Sequence, residues 1–301
     1  MLSLFLFFMP LIHIEHIEDT VLNGDLSALE LLENSSNISA KIDGKPSIVW
    51  GEDTDGLFFV GTKSVFNKRL VKRCKSYQDI DNWYDGDLHE LLTSCFRNLP
   101  NDGNVYQGEF LGFGGDSEYI PNTIKYTFDD VIREDIVIAP HTIYHGNSKE
   151  LRDWEGVTLQ RNLKSTNNVR FVHSTVSNNN CMEDIHFLIN FARTIAGAVE
   201  FIEDPKNVAA MKKELNSYIR TDREIVAEEF ENTNLIRFWQ LVIQIKEQFM
   251  DNCVTNSDGM NVTLNGDNID AEGYVLSDNR SVVKLINRRE FSYHNFLVNN
   301  S

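Results

Sequence analysis

Ser39-Ala40-Lys41-Ile42-Asp43-Gly44, followed by Pro46-Ser47-Ile48-Val49-Trp50-Gly51, is the stretch that decides how this chain is read. Its polar and apolar residues alternate, which predicts a half-buried strand. Ser39, Lys41 and Asp43 then share one face, while Ile38, Ala40 and Ile42 face a core. A lysine and an aspartate would point together from a rigid element, and Gly44 would permit a turn or a close backbone approach. A KxDG tetrapeptide by itself is equally what a surface ion pair before a turn looks like, so its meaning depends on its surroundings.

Outward from this stretch the texture is that of strands. Asp53-Thr54-Asp55-Gly56 lies between two apolar runs and reads as a hairpin turn into Leu57–Phe66. A second strand group covers 104–145, in segments 104–113, 123–128 and 135–145. Upstream, Ile14, Ile17, Val21, Leu26, Leu29 and Leu32 have helical spacing over 13–34, broken in two at Asn23-Gly24. Residues 181–250 predict three helices, near 181–202, 205–219 and 222–250, and strands return at 260–287. A lone hairpin is barely stable, so the last strands are expected to join the first sheet, with the helical block as an insertion.

The chain has 301 residues, 42% of them apolar and 24% charged, which excludes a disordered, collagen-like or coiled-coil protein. Its 45 acidic residues against 28 basic give a formal charge of −17, which excludes coating nucleic acid through bulk charge. A local basic patch remains able to hold phosphates. Cys74, Cys95, Cys181 and Cys253 are scattered, suggesting neither zinc nor disulfides and fitting a reducing, cytoplasmic setting. Met1–Ile12 is apolar apart from Ser3 but shorter than the ~20 residues that span a bilayer. It lacks a basic n-region and a small-residue cleavage site. We read it as a buried first strand or an upstream extension of the start codon, so no membrane partner is expected.

Further charged residues fall on plausible strands in a fixed order. Lys63 lies in Gly61-Thr62-Lys63-Ser64, Glu109 in Gly108-Glu109-Phe110, Glu272 in Glu272-Gly273-Tyr274-Val275, and Lys284 in Ser281-Val282-Val283-Lys284. A hairpin centred on Asp278 would set Glu272 directly opposite Lys284, both projecting from one sheet face.

In these motifs the sequence resembles the covalent nucleotidyltransferase superfamily, the ATP-dependent DNA and RNA ligases and mRNA capping enzymes. It looks closest to bacteriophage RNA ligase-like proteins. The resemblance covers roughly residues 38–145 and 260–290. It implies an α+β fold: an antiparallel-sheet nucleotidyltransferase (ATP-grasp-like ligase) domain with a helical insertion. The boundaries expected are 1–150 and 255–301 for a discontinuous nucleotidyltransferase domain, and 151–254 for the mainly helical insertion.

The resemblance also implies roles. Lys41 corresponds to the lysine that becomes nucleotidylated, with ATP and Mg²⁺ as cofactors and lysyl-AMP as intermediate. Asp43 would orient that lysine or contact the ribose. Lys63 and Glu109 would lie at the nucleotide, Glu272 would bind the metal, and Lys284 would contact the α-phosphate. A strand aromatic that stacks on the base would be Tyr144, beside His141 and His145. Protonated lysine cannot attack phosphorus, so neighbouring positive charge or burial must lower its pKa. Lysines and Mg²⁺ stabilise the negative charge of the α-phosphate transition state, and a hard carboxylate such as Glu272 suits Mg²⁺.

The sequence departs from the family's pattern at two positions. Pro46 stands where many DNA ligases have an arginine, and Ile286 where a second lysine is usual; Asn287 or Arg288 could partly substitute. Seventeen residues follow Lys284, so no C-terminal OB-fold is expected, which disfavours a guanylyltransferase.

Lys63, Lys68, Arg69, Lys72, Arg73 and Lys75 form a basic run. It reads either as a platform for a polynucleotide backbone, with Lys68, Arg69, Lys72 and Arg73 as contacts, or as a solvated helix face or loop. His13 and His16 have helical metal-ligand spacing but no evident third ligand, so a structural role is the simpler reading. Phe238 and Trp239 read as core. Three functions remain: an ATP-dependent polynucleotide ligase or adenylyltransferase acting on RNA more readily than DNA, a guanylyltransferase, and a nucleotide- or nucleic-acid-binding module with a ligase-like fold but no turnover.

Overall fold

The structure is a computed structural model that describes residues 14–34, 37–178, 182–257, 259–278 and 281–291. The expectations for Met1–Ile12, His13 and Cys181 lie outside the described residues. Helices α1 (Ile17–Thr20) and α2 (Ser27–Asn34) precede β1 (Asn37–Ala40), β2 (Ser47–Glu52) and β3 (Phe58–Gly61). Next come α3 (Tyr77–Trp83), α4 (Gly86–Asn98), β4 (Val105–Phe113), β5 (Glu118–Tyr119), β6 (Ile124–Phe128) and β7 (Ile136–His145). Strands β8 (Glu155–Thr158), β9 (Val169–Phe171) and β10 (Thr175–Asn178) lead into α5 (Met182–Ala196), α6 (Pro205–Arg220) and α7 (Thr233–Asp251). The last strands are β11 (Cys253–Asn256), β12 (Met260–Leu264), β13 (Asp267–Asn268), β14 (Gly273–Ser277) and β15 (Val282–Ile286).

The fold is α+β with antiparallel sheets, β7 with β9 being a parallel pair. The chain divides into two compact units. One comprises Ile42–His173 and Ser257–Asn268; the other comprises Ile14–Lys41, Ser174–Asn256 and the chain from Ile269 onward. This division differs from the one expected, in which 151–254 stood apart as an insertion. The physical reason is an apolar sheet face that needs a cover.

That face belongs to the second unit, whose sheet runs β11-β10-β1-β14-β15. Ile38, Tyr274, Leu276, Val283 and Leu285 project from one side of it. They pack against Ile17, Leu29, Leu32, Ile185, Ile189, Phe238, Val242, Ile245 and Phe249, from α1, α2, α5 and α7. Each such side chain contributes about 1.5–3 kcal/mol when fully buried, so the helices are the second layer of this sheet. Helix boundaries follow local chemistry. Asp204 caps α6 by accepting from Lys206 N at 3.1 Å, ahead of Pro205 in the first turn. Asn232 caps α7 by accepting from Leu235 N at 3.1 Å. Gly24, at φ 82°, separates the two early helical pieces where Asn23-Gly24 was expected to.

The first unit holds a sheet with path β3-β2-β4-β7-β8, β9 pairing with β7, and a second sheet ordered β13-β12-β6-β5. Asp53 Oδ1 accepts from the amides of Asp55 and Leu57 at 3.0 and 3.2 Å, which closes the expected β2–β3 hairpin. Helices α3 and α4 have no counterpart in the sequence reading. Leu91, Leu92 and Cys95 of α4 pack on Ile48, Trp50 and Ile136. Cys74 and Cys253 are buried free thiols pushed up to about 12 by burial, which makes them poor nucleophiles.

Two local readings are corrected. The first strand stops at Ala40, so Asp43 does not share a strand face with Lys41. The β14–β15 hairpin pairs Val275, not Glu272, with Lys284, because Asp278 pairs with Ser281 through its amide at 3.0 Å. The turn therefore falls one to two residues later than a centre at Asp278. Asn279, also expected in the turn, lies outside the described residues.

Phe238, 1% exposed and edge-on to Phe201 at 5.7 Å, anchors α7 under the sheet of the second unit. Phe238→Ala should cost about 3–5 kcal/mol in urea unfolding; a loss below 1 kcal/mol would mean that the helices are not that sheet's second layer.

Candidate functional site

β1 lies between β10 and β14, with Ser39 opposite Val275 and Ala40 opposite Tyr274. The ladder continues one step, since Lys41 N–H donates to Gly273 O at 2.8 Å. This sets Lys41 beside the residue before Gly273, and Lys41 Nζ is ion-paired with Glu272 Oε2. The Lys41 side chain is 29% exposed and the Glu272 side chain 10%. Two charges 231 residues apart in sequence thus meet in one unit.

Lys284 joins them despite the changed register. It lies opposite Val275, which lies opposite Ser39. These residues share the sheet face away from the helical core. Burial pushes the Lys284 ammonium below its usual range, as does the charge of Lys41; Glu15 and Glu272 oppose this. Glu15 comes from the segment before α1, where its carbonyl accepts from Lys284 N–H at 3.0 Å. Its carboxylate takes Lys212 Nζ of α6 at 3.0 Å. Neither Glu15 nor Lys212 was expected at this site; no motif marks them. The group combines a partly exposed lysine, a second lysine whose pKa burial depresses, and a nearly buried carboxylate. That is the equipment for a lysine nucleophile next to a phosphate contact.

Arg288, which the resemblance offered as a partial substitute for a second lysine, lies in a buried charge network and also bears on Lys284. It is 4% exposed and donates to Glu18 Oε1 at 3.2 Å and Asp19 Oδ1 at 2.7 Å, with Asn216 as a further partner. Burial disfavours its charge, but Asp19 and Glu18 outweigh that and raise its pKa. Asn287 donates to Glu290 at 3.2 Å.

In the first unit, the loop after Ile42 is pinned to β4 and β6. Asp43 N–H donates to Tyr126 Oη at 2.7 Å, Tyr126 Oη–H returns to Asp43 O at 3.1 Å, and Asn122 Nδ2 donates to Asp43 Oδ2 at 2.8 Å. Lys45 N–H donates to Phe110 O at 2.9 Å, and Phe110 N–H to Pro46 O at 3.1 Å. A Cβ on Gly44 would come within 2.6 Å of Phe110 O and 2.7 Å of Glu109 Cβ, so glycine is required for close approach. Glu109 Oε1 lies 3.4 Å from His141 Nε2. Tyr126, Asn122 and His141 lacked a motif that tied them to this loop or to Glu109.

Tyr144 belongs to the core of the first unit. It is 3% exposed, packs on Phe66 at 4.9 Å and donates to Gln107 Oε1 at 2.6 Å, so its ring is already covered. Lys63 is exposed at the start of a 3₁₀ turn over Lys63–Phe66. The basic run is a loop and splits in two. Lys68 and Arg69 are exposed. Lys72 donates to Trp83 O at 3.2 Å and lies 4.7 Å over the Tyr84 ring, while Arg73 and Lys75 face the buried Asp53.

The chain belongs to DUF6267, a family of unknown function, whose match covers residues 12–231 and 181–300. No curated protein and no solved structure matches it. Among the described residues, no helix is long and apolar enough to cross a membrane.

Two outcomes follow from this geometry. Tyr126→Phe should expose the Asp43 amide and loosen the loop by about 1–2 kcal/mol, read as faster hydrogen exchange at Asp43 with the global melting point little changed. The depressed pKa of Lys284 means that the unfolded chain binds more protons between the folded value and the ordinary 10.5. Its charge therefore weakens folding at neutral pH, and the penalty fades as pH rises through that window. Lys284→Met should melt higher than wild type at pH 7, with the gap narrowing toward pH 10; a constant gap would contradict the assignment.

Proposed function

We propose that this protein is an ATP-dependent nucleotidyltransferase of the ligase type, working through a covalent lysyl-AMP on Lys41. The observation that carries the reading is the ion pair of Lys41 with Glu272 beside Lys284, joining the first motif to two more than 200 residues downstream. Lys41 Nζ attacks the α-phosphorus of ATP. An N–P bond forms, the bond from that phosphorus to the bridging oxygen breaks, and pyrophosphate leaves. Two protons leave the nitrogen for solvent, one before attack and one as the N–P bond forms. Lys284 receives the charge that builds on the α-phosphate oxygens.

Mg²⁺ suits this donor set, because it is commonly held by one or two carboxylates together with substrate phosphates and waters. Glu272 supplies such a carboxylate. When bound, the ion would neutralise phosphate charge. The resemblance alone gives Asp43 and Glu109 ribose-side roles. The acceptor is proposed as a polynucleotide end, RNA before DNA, reached by the exposed Lys68 and Arg69. The departures at Pro46 and Ile286 favour a binding module without turnover as the second reading.

Intact-mass spectrometry after incubation with ATP and Mg²⁺ should show one added AMP, lost in acid because a phosphoramidate is acid-labile. Lys41→Ala should abolish the adduct, and Lys41→Arg also, since a guanidinium does not deprotonate to attack phosphorus. Glu272→Ala should slow it by a hundredfold or more. An adduct that survives Lys41→Ala removes the assignment; an adduct formed only with GTP makes the chain a guanylyltransferase; none with either nucleotide leaves the binding module.

Reversing Lys68 and Arg69 to glutamate should weaken RNA binding with a shallower salt dependence and leave self-adenylylation intact. Unchanged binding at low salt in a filter assay would make the loop a solvated surface only.

A further inference from the structure

Two segments of the first unit, far apart in sequence, lie against each other. Residues 62–70 carry Lys63, Lys68 and Arg69, and residues 146–154 carry Lys149 and Arg152. Val65 and Phe66 of the first segment share one apolar cluster with Leu151 and Trp154 of the second. Arg152 joins them again at the surface, where its Nη1 donates to Lys68 O at 3.4 Å. Each segment is also held by bonds of its own. Asn67 Nδ2 donates to Leu70 O at 3.2 Å, while Trp154 Nε1 donates to Ser148 O at 2.7 Å and Glu150 N–H to Ser148 Oγ at 3.1 Å.

The two segments hold five basic residues against two acidic ones, in a chain of formal charge −17. Both acids are engaged within their own turn. Arg152 lies 3.6 Å from Glu150 and 3.9 Å from Asp153, and Ser148 Oγ donates to Asp153 Oδ2 at 3.0 Å. Lys63, Lys68, Arg69 and Lys149 are exposed, and among the described residues none of them makes an ion pair. An acidic protein that keeps four unpaired cations on two adjoining ordered segments attracts a polyanion there. The aromatic rings of these segments face inward, Phe66 being 8% and Trp154 7% exposed. No Phe, Tyr or Trp ring is therefore offered for a base to stack on. Lysine and arginine contacts to phosphate position a strand without reading its sequence.

We propose that residues 62–70 and 146–154 form one phosphate-backbone track for a polynucleotide, in which Lys149 and Arg152 extend what Lys68 and Arg69 begin. The track holds the strand without choosing bases. This inference rests on the polynucleotide acceptor proposed above and adds to it a second segment, which no run of basic residues marks in the sequence.

The test uses the full chain with Lys41→Ala, so that no covalent adduct contributes. Fluorescein-labelled oligo(U) and oligo(C) RNA are titrated by anisotropy between about 50 and 200 mM salt. The two should bind within about threefold of each other, as a backbone track requires. Lys149→Glu should weaken both at least fivefold at the lower salt and flatten the slope of log K against log salt by about 0.7–1. Lys206→Glu, the same charge change on exposed α6 of the second unit, should do neither. If Lys149→Glu binds like wild type while reversal of Lys68 and Arg69 weakens binding, the second segment is no part of the track and the acceptor reading survives. If the wild-type sequence at these segments binds neither oligonucleotide at low salt, track and polynucleotide acceptor fall together. A tenfold preference between the two RNAs overturns the claim that bases are not chosen. Tighter binding to equimolar phosphatidylserine–phosphatidylcholine vesicles, lost in Lys149→Glu, makes the surface a lipid contact and overturns the proposal.

Discussion

The pairing of β1 with β14 is the constraint on which the second unit depends. It joins Asn37–Ala40 to Tyr274–Ser277 and closes a loop of more than two hundred residues. Closing so long a loop is entropically unfavourable, although the cost grows only logarithmically with length. It is offset by what the pairing assembles. One face of the two strands completes the apolar surface under α1, α2, α5 and α7. The other carries the ladder that ends with Lys41 N–H on Gly273 O, next to the Lys41–Glu272 ion pair. Core and candidate site are therefore two faces of one strand pair, and a register slip of one residue would exchange them.

Much of this was legible in sequence because it rests on short-range periodicity. The three later helices, the break at Asn23-Gly24 and most strands follow from apolar spacing and turn residues. The α+β class with antiparallel sheets followed from their order. The readings that changed depend on contacts far apart in sequence. The hairpin register was drawn from an assumed turn centre, and the actual turn places Val275 opposite Lys284. The helical block seemed an insertion because sequence order separates it from β1, but nothing local in Ile38 or Leu276 says which helices will cover them. Glu15 and Lys212 illustrate the same limit at the site: Glu15 becomes a neighbour of Lys284, and Lys212, 197 residues on, its partner, only through the fold.

The charges buried behind the sheet differ in kind from those at Lys41. Glu18, Asp19, Lys246 and Arg288 are packed among helices, and burial raises the pKa of Asp19 although Arg288 opposes this. Such a network contributes little net stability against well-packed apolar residues of the same volume, yet removing one member costs about 3–5 kcal/mol. It fixes the arrangement of α1, α7 and the chain after β15 more than it strengthens it. Lys246 makes the point directly, binding Glu18 of α1 and the backbone carbonyl of Ile286 of β15 from the middle of α7.

The arrangement at Lys41 has its own internal logic. A nucleophilic lysine beside a carboxylate is held protonated, which is the wrong state for attack; a second lysine nearby pushes the other way. The Glu272 contact holds Lys41 in place. Under the proposed chemistry, drawing Glu272 toward another cation would leave Lys41 facing Lys284 with less compensation. Lys284 already shows the consequence, since burial and Lys41 together depress its pKa against the pull of Glu15 and Glu272. A metal–nucleotide complex, if the proposal holds, would bring such a cation together with the phosphate to be attacked. Under the proposed chemistry, the resting ion pair and the reactive amine are then successive states of the same three side chains, and substrate arrival is what separates them.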